Sequence, residues 1–418
     1  MSEPLYVHFG SRTVGTLELA DDKLMRFAYR PEWVRSGDTF PISLSLPFDG
    51  SYTSRASHHY FANLLPEGNV REQVCRSLGI SPSNDFELLK AIGGECAGAL
   101  EISPQCEPTS HATPPRYEPV TDEQLAQWSV GTPDAFSDVT GHDEVRLSLA
   151  GAQDKLPVHV VDGRVFIPVA GSASTHILKF ASPFYSHLPE NETFMALLAK
   201  SIGLPVVDIQ LRATLKARIA VIDRFDRVLR SGVYCRIHQE DFCQALGISP
   251  SNKYEKEGGP SLKQCAEVIR RFAAFPILDL NKLLQWAIFN WLTGNADAHG
   301  KNLSLLYNQS GAPSLAPFYD LVCTHNYKNL SRFLAMEMGG TSDPDLVGSR
   351  HLEALASDLK LRPKLVLGVA ATLMEHIAGS LDGVSASFLK LYGDSPILER
   401  IPMVIRRQLR RAGSLQAK

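Results

Sequence analysis

Three side chains with hard oxygen donors fall within one short stretch, FNWLTGNADAHGKNLSLLYNQSGAPSLAPFYDLV (289–322). Asp297 and Asn302 stand in the polar run GNADAHGKN, directly after an apolar segment, and Asp320 ends the short run PFYD. A β-like run, LSLLY, and a turn at 308–311 lie between them, so a single hairpin would bring the three groups near one another. Phosphoryl transfer asks for such a set. Magnesium prefers carboxylate and carbonyl oxygens and retains waters, so one Asp and one Asn suffice as protein ligands. A further Asp is needed to orient the acceptor hydroxyl and take its proton. Asp297 would be that base, with Asn302 and Asp320 as the metal ligands.

D-x4-N followed by a separate Asp is also the order in which protein kinases carry their catalytic loop and metal Asp. By itself D-x4-N is a weak signal, because turns are rich in Asp and Asn; the later Asp320 and the apolar segment before the loop favour chemistry. His299 is either a solvent-facing loop residue or a neighbour of the phosphates. Lys301 could neutralise phosphate charge, although a lysine beside a loop is commonly just solvated. A phosphate-binding cation is offered by Lys179, which ends the strand-like THILKF (175–180). Glu192, at the start of the next helix, could pair with it or simply favour a helix N-terminus. No GxGxxG or GxxxxGK[ST] precedes these residues, but LSLAGAQDK (147–155) supplies small residues whose N–H groups could approach an anion.

The elements that must position these groups follow from periodicity and turn chemistry. LYVHF (5–9), VGTLEL (14–19) and LMRFAY (24–29) read as a β-meander, and helical spacing follows at 57–68, 69–79 and 85–94. Residues 103–118, with four prolines, read as a linker. Runs 156–161 and 164–169 flank Asp162–Gly163, a hairpin signal. Strands are expected at 176–180, 205–211 and 217–225, and a helix at 191–204. NKLLQWAIFNWLTG (281–294) is apolar nearly all round, which marks a buried helix. Helices are expected again at 362–381 and 397–413. LGISPSN occurs at 78–84 and 246–252, one helix-stop chemistry used twice rather than a repeat. The chain therefore divides into 1–105, 119–235 and 236–418, an α+β arrangement.

Composition excludes several classes. With 418 residues, 44% hydrophobic and 21% charged, the chain is globular and long enough for more than one core. Its net charge of −3 supplies no global field for nucleic acid or an anionic membrane. No apolar run approaches the roughly 18 residues of a membrane span, and MSEPLYVHFG lacks a signal-peptide pattern. Seven cysteines without CxxC spacing argue against a disulfide framework or zinc, and suit a reducing cytoplasm.

Taken together, the motifs resemble the HipA family, the serine/threonine kinase toxins of HipBA type II toxin–antitoxin systems. They are LSLAGAQDK (147–155), THILKF (175–180), NETFMALLAKSIGL (191–204), DRFDR (223–227), QEDFCQALG (239–247), KYEKEGGP (253–260), GNADAHGKN (294–302) and PFYD (317–320), with PISLSLPFDG (41–50) and YFANLLPEG (60–68) ahead of them. The resemblance spans essentially the whole chain. It implies a protein-kinase-like fold with a β-rich N-terminal lobe, a mostly helical C-terminal lobe and ATP between them.

Residue by residue, the resemblance makes Asp297 the catalytic Asp, and Asn302 and Asp320 the Mg²⁺ ligands. Lys179 becomes the phosphate lysine, and Ala150, Gly151, Ala152, Gln153, Asp154 and Lys155 the loop that closes over ATP. Asp223, Arg224 and Phe225 match the hinge beside the adenine, where many members have Glu for Asp223. His299, Gly300, Lys301 and Tyr319 fall on the ATP side of the catalytic loop. Ser148 falls on the serine that members autophosphorylate, which switches the kinase off. The resemblance also implies a HipB-like helix-turn-helix antitoxin, operator DNA contacted mainly through it, and an aminoacyl-tRNA synthetase substrate such as glutamyl-tRNA synthetase.

After LAMEMGG (334–340) the chain reads TSDPDLVGSRH, where some relatives are lysine-rich. Asp343 and Asp345 would repel phosphate there. Arg406, Arg407, Arg410 and Arg411 form the densest basic patch, most simply a solvated helix face. Two rival readings remain at this level: a small-molecule kinase of the aminoglycoside type, and a non-catalytic corepressor that bridges a DNA-bound antitoxin.

Overall fold

The structure is a computed structural model that describes residues 3–108, 115–130 and 155–416. Ser148 and Ala150–Asp154 lie outside the described residues. The chain forms two compact units that alternate along the sequence. Unit 1 comprises Met1–Pro183, Ala213–Ser251 and Leu306–Ala312; unit 2 comprises Phe184–Arg212, Asn252–Leu305 and Pro313–Lys418. The architecture is α+β, β-rich towards the N-terminus and helical towards the C-terminus, as the sequence predicts.

Unit 1 holds two sheets. The meander β1 (Leu5–Phe9), β2 (Arg12–Leu19) and β3 (Met25–Tyr29) is joined by β4 (Leu100–Ser103) in the order β3-β2-β1-β4. Helices α1 (Pro31–Arg35), α2 (Ser54–Ala62), α3 (Gly68–Leu78) and α4 (Asp85–Ile92) belong with it, and Leu5, Leu17, Phe61, Phe86 and Leu89 share its core. The second sheet contains β5 (Arg116–Pro119), β6 (Lys155–Val161), β7 (Arg164–Val169), β8 (His176–Lys179) and β10 (Arg218–Asp223), in the order β5-β7-β6-β8-β10. Asp162 and Gly163 both take positive φ, 49° and 74°, as a two-residue type I′ hairpin requires. Leu156, Val158, Leu178 and Ile219 point to one face, where they pack with Leu125 and Trp128 of α5 (Asp122–Trp128). A hairpin of β11 (Arg227–Arg230) and β12 (Val233–Arg236), the short β13 (Gln239–Asp241) and α7 (Phe242–Ala245) follow later in the chain.

The two LGISPSN copies are the same local structure. Gly79 and Gly247 adopt φ of 66° and 67°. Ile80 N–H donates to Cys75 carbonyl (2.9 Å) and Ile248 N–H to Cys243 carbonyl (2.8 Å), the Schellman closure of a helix.

Unit 2 is helical. It contains α6 (Leu188–Ser201), α8 (Leu262–Phe272), α9 (Pro276–Thr293), α10 (Ser349–Asp358), α11 (Pro363–Tyr392) and α12 (Ile397–Gln416). Strand β9 (Ile209–Ala213), β14 (Ser304–Tyr307) and β15 (Pro313–Leu315) complete the set of described strands. Pro276 starts α9 at a position where its missing N–H costs nothing, and Trp286, Phe289, Trp291 and Leu292 bury most of its circumference. Asp279, in its first turn, is buried, accepting from Lys282 Nζ (2.8 Å) and Leu315 N–H (3.1 Å). Contrary to the sequence expectation, one described helix, α11, has the length and mean hydropathy of a membrane span. Its buried residues Val366, Ala370, Leu373, Ile377, Leu381, Val384 and Phe388 recur every three or four positions. This is a seam packed on α6, α9, α10 and α12. Two of the four α12 arginines pair with acids, Arg406 with Asp382 and Arg411 with Asp345.

A buried ionic knot ties the first sheet's helical layer to the second sheet. Arg224 grips Asp226 with two bonds (2.9 and 2.7 Å) and donates to Cys96 carbonyl (3.0 Å). Arg227 reaches Glu95 Oε1 (2.7 Å) and Gly98 carbonyl (3.0 Å), and Arg236 pairs with Glu95 Oε2. Ser174 donates to Glu95 from its hydroxyl (2.7 Å) and its N–H (3.1 Å). Burial opposes ionisation of Glu95, but Arg227, Arg236 and Arg224 outweigh it and hold the carboxyl at about 2.

A second buried carboxyl has no cation among its described partners. Glu240 accepts from Ser43 Oγ (2.5 Å), Leu44 N–H (3.1 Å) and Tyr307 Oη. Burial drives it up to about 7 against these bonds.

Two predictions follow from these carboxyls. Glu95→Ala takes a carboxylate partner from the buried Arg224 and Arg227 and from the partly buried Arg236, and should cost about 3–5 kcal/mol. Urea unfolding reads this as a lower midpoint, and an unchanged midpoint would refute the role. Glu240 has a folded value above its unfolded one. Its contribution is therefore complete below about pH 4 and fades as pH rises through about 7. The native chain should lose stability between pH 5 and 8, on the order of 2–3 kcal/mol from this group. Glu240→Gln should flatten that slope, as thermal melts across the range would record.

Candidate active site

The helix α9 delivers the chain into the candidate catalytic loop. Gly294, at φ 72°, closes the helix: Asn295 N–H donates to Asn290 carbonyl (2.9 Å) and Gly294 N–H to Trp291 carbonyl (3.4 Å). A Cβ on Gly294 would stand 3.0 Å from the His325 ring. Asn295 Nδ2 donates to Asn290 Oδ1 (2.8 Å), and Asn295 Oδ1 accepts from Asp297 N–H (3.1 Å). The loop is thereby folded on the end of the helix by short polar contacts.

Asp297 is an exposed residue between buried neighbours, with about half of its side chain accessible (52%). Its Oδ1 accepts from Tyr254 Oη at 2.6 Å. Its carbonyl accepts from Asn302 Nδ2 at 2.9 Å. That bond ties the amide nitrogen to the loop backbone and leaves Oδ1 as the Asn302 atom that could hold a metal. Asp320 is half-buried and adopts φ 53°, a left-handed conformation rare outside glycine and tolerated best by Asp and Asn. The backbone is pinned on both sides of it. Phe318 N–H donates to Pro205 carbonyl (2.7 Å) and Val207 N–H to Phe318 carbonyl (3.0 Å). Asn191 of α6 then holds Cys323 through N–H to Oδ1 (2.9 Å) and Nδ2 to carbonyl (3.1 Å). Among the described residues no three His, Cys, Asp or Glu cluster as a metal site. Asn302 and Asp320 offer the hard, partly hydrated oxygen set that suits Mg²⁺.

The other residues singled out from sequence take these places. His299 and Lys301 are buried rather than solvated, as is Gly300. The His299 ring packs edge-on to Tyr254, centroids 5.3 Å apart. Tyr319 Oη donates to Lys301 carbonyl (2.8 Å) and lies 2.6 Å from Ser304 Oγ, fastening the loop's far end. All of these belong to unit 2.

In unit 1, Lys155 and Lys179 are direct cross-strand partners of β6 and β8, with Ala220 of β10 opposite Lys179. The period of two puts all three on the face opposite the Leu156–Leu178 core. That face therefore carries two ammonium groups beside small and apolar residues. Asp223 lies 3.1 Å from His176 and is exposed. The Arg224 side chain is consumed by the ionic knot, so the contribution it retains for a hinge is main chain. Phe225 is half-buried. Glu192 is buried within α6.

Sequence reasoning missed Tyr254, Thr324 and Asn191. Thr324 Oγ1 accepts from Ala296 N–H (2.7 Å) and donates to Gly294 carbonyl (3.1 Å). Tyr254 was legible only as part of KYEKEGGP and Asn191 only as the first residue of NETFMALLAKSIGL; Thr324 carries no local signal.

Comparison with known proteins agrees along the chain. Residues 5–103 match the model of the HipA N-terminal domain, and residues 147–381 that of the HipA-like C-terminal domain. A candidate kinase of Sinorhizobium fredii is 42% identical over 94% of this chain and 94% of its own. The serine/threonine-protein kinase toxin HipA of Shewanella oneidensis is 34% identical over 93% of both. Among solved structures, the Shewanella oneidensis HipA, HipB and operator DNA complex contains a chain with TM-score 0.82 and 29% identity, covering 97% of this chain and 96% of that one.

Gly294→Ala should test how far the loop depends on its helix stop. A left-handed Ala costs about 1–2 kcal/mol, and the methyl must also displace His325. A lower melting temperature with reduced phosphoryl transfer is expected. A variant equal to the parent in both would show that the turn is dispensable.

Proposed function

The chain belongs to the HipA family, and from that premise we propose that it is an ATP- and Mg²⁺-dependent serine/threonine protein kinase acting as a growth-arresting toxin. The observation that carries the reading is the loop itself. It combines an accessible carboxylate on a rigid turn, an amide whose nitrogen is tied to the loop backbone, and a strained Asp fixed from both sides.

In the proposed mechanism, Asp297 accepts a hydrogen bond from the acceptor hydroxyl, aligns it with the γ-phosphorus and takes its proton. Asn302 and Asp320 hold the metal, which when bound neutralises charge on the β- and γ-phosphates. Lys179 contacts the phosphates from β8. Main chain from Asp223 to Phe225 meets the adenine, and Ala150–Lys155 close over the phosphates. Catalysis is then positioning plus charge neutralisation.

Regulation and partners complete the proposal. Phosphate on Ser148 adds a charge of about −1.5 to −2 within two residues of the closing loop, and displaces it from the nucleotide. A HipB-like antitoxin is the expected partner, supported by the complex in which the solved relative stands, with operator DNA reached mainly through it. An aminoacyl-tRNA synthetase, such as glutamyl-tRNA synthetase, is the proposed acceptor, in the cytoplasm. The pairing of Arg411 with Asp345 supports an indirect contact with DNA, since it lowers the positive charge available on α12.

Purified protein incubated with Mg-ATP should gain one phosphate, about 80 Da, at Ser148. Asp297→Ala should fold normally and gain none. Equal incorporation by the variant would overturn the assignment of the base. No gain by an initially unphosphorylated, ATP-bound parent would favour a corepressor without kinase activity.

A further inference from the structure

The motif KYEKEGGP has no assigned part in the chemistry above, yet one of its side chains touches the candidate base. Tyr254 Oη donates to Asp297 Oδ1 at 2.6 Å, a charge-assisted bond. No other hydrogen bond among the described residues reaches the Asp297 carboxylate. A half-exposed aspartate would otherwise sample several rotamers and present either oxygen to an acceptor at random.

Tyr254 is itself firmly placed. Its ring meets the buried His299 edge-on, and the ammonium groups of Lys253 and Lys256 lie 5.7 and 6.0 Å from its centroid. Its carbonyl accepts from Glu257 and Gly259 N–H, both at 2.9 Å, which closes the segment into a tight turn. Gly259 is required for that closure, because a Cβ there would lie 2.4 Å from Asn252 carbonyl. The next residue anchors the turn outward: Glu255 N–H donates to Ala335 carbonyl (3.0 Å), and its Oε2 accepts from Glu337 N–H (2.7 Å).

We propose that Tyr254 is a positioning residue for Asp297: by occupying Oδ1 it fixes the carboxylate and presents Oδ2 to the acceptor hydroxyl. The inference rests on the reading of Asp297 as the base. The opposite role, a hydroxyl that mimics the acceptor and blocks it, suits a hinged or loosely held segment. The turn here is held at its own carbonyl, at Glu255 and through His299.

The test compares the full chain, Tyr254→Phe and Asp297→Ala for the initial rate of labelled phosphate incorporation over a range of Mg-ATP concentrations. Phenylalanine keeps the ring packing and removes the donor. The rate at saturation should fall roughly 10- to 100-fold, as a small misplacement of a reacting group does, while the KM for ATP stays within about twofold. An unchanged or raised saturating rate would overturn the inference while Asp297→Ala remained inactive. Activity in Asp297→Ala would instead sink the assignment of the base, and the inference with it. A cycle of melting temperatures for Tyr254→Phe, Asp297→Asn and the double variant tests the bond without turnover. Non-additive shifts are expected, and additive ones would overturn it.

Discussion

One hydroxyl joins the two segments on which the proposed chemistry depends. Thr324 accepts from the N–H of Ala296 and donates to the carbonyl of Gly294, while His325 N–H reaches the same carbonyl at 3.0 Å. The loop that carries Asp297 and Asn302 and the segment that follows Asp320 therefore share hydrogen bonds at their bases. Asn191 extends the arrangement by gripping Cys323 with both ends of its amide. Three stretches far apart in sequence, 191, 294–296 and 323–325, are thus held by directional hydrogen bonds to main-chain groups, which tolerate less displacement than apolar packing does. Preorganisation of this kind is what a reaction catalysed by positioning requires.

Charge is used in two ways, and burial separates them. Glu95, Arg224, Asp226 and Arg227 have side chains at most 3% exposed and satisfy one another and nearby carbonyls. An apolar cluster of the same volume could be equally stable. What ions add is directionality, since a bidentate Arg–Asp pair fixes orientation as well as distance. This suits a junction that must hold the end of β10 in one place. Asp297 is the contrary case. It is half-exposed, with one oxygen bonded to Tyr254, as the base proposed above would need in order to meet a substrate.

Periodicity and turn chemistry made most of the fold legible. The meander, the Asp162–Gly163 hairpin, the two Schellman stops and the all-apolar α9 each follow from rules that act within a few residues. The loop residues Asp297, Asn302 and Asp320 were legible because their types and order are chemically restrictive. What stayed hidden is non-local. Sequence leaves His299 open between solvent and phosphate and reads Lys301 as a loop lysine, yet both are buried, His299 against the Tyr254 ring. Arg224 looks like part of a hinge, and nothing near it in sequence announces Glu95. Glu375, His376 and Asp382 interrupt the apolar run of α11, yet its length and mean hydropathy match those of a span, and its heptad seam accounts for them.

Asp320 shows how local strain and long-range order depend on each other. A left-handed non-glycine residue is disfavoured by about 1–2 kcal/mol and relaxes unless its surroundings over-determine it. Here Phe318 is bonded on both its N–H and its carbonyl to the 205–207 segment, and Cys323 is bonded on both to Asn191. Four bonds therefore fix the backbone on the two sides of one strained residue. Glycine would remove the strain and the ligand together. Asparagine would keep the conformation but lose the negative charge. Aspartate is the residue that combines a short polar side chain, tolerance of positive φ and a full charge, so the strain at 320 is a cost of placing a carboxylate where the chain has to turn.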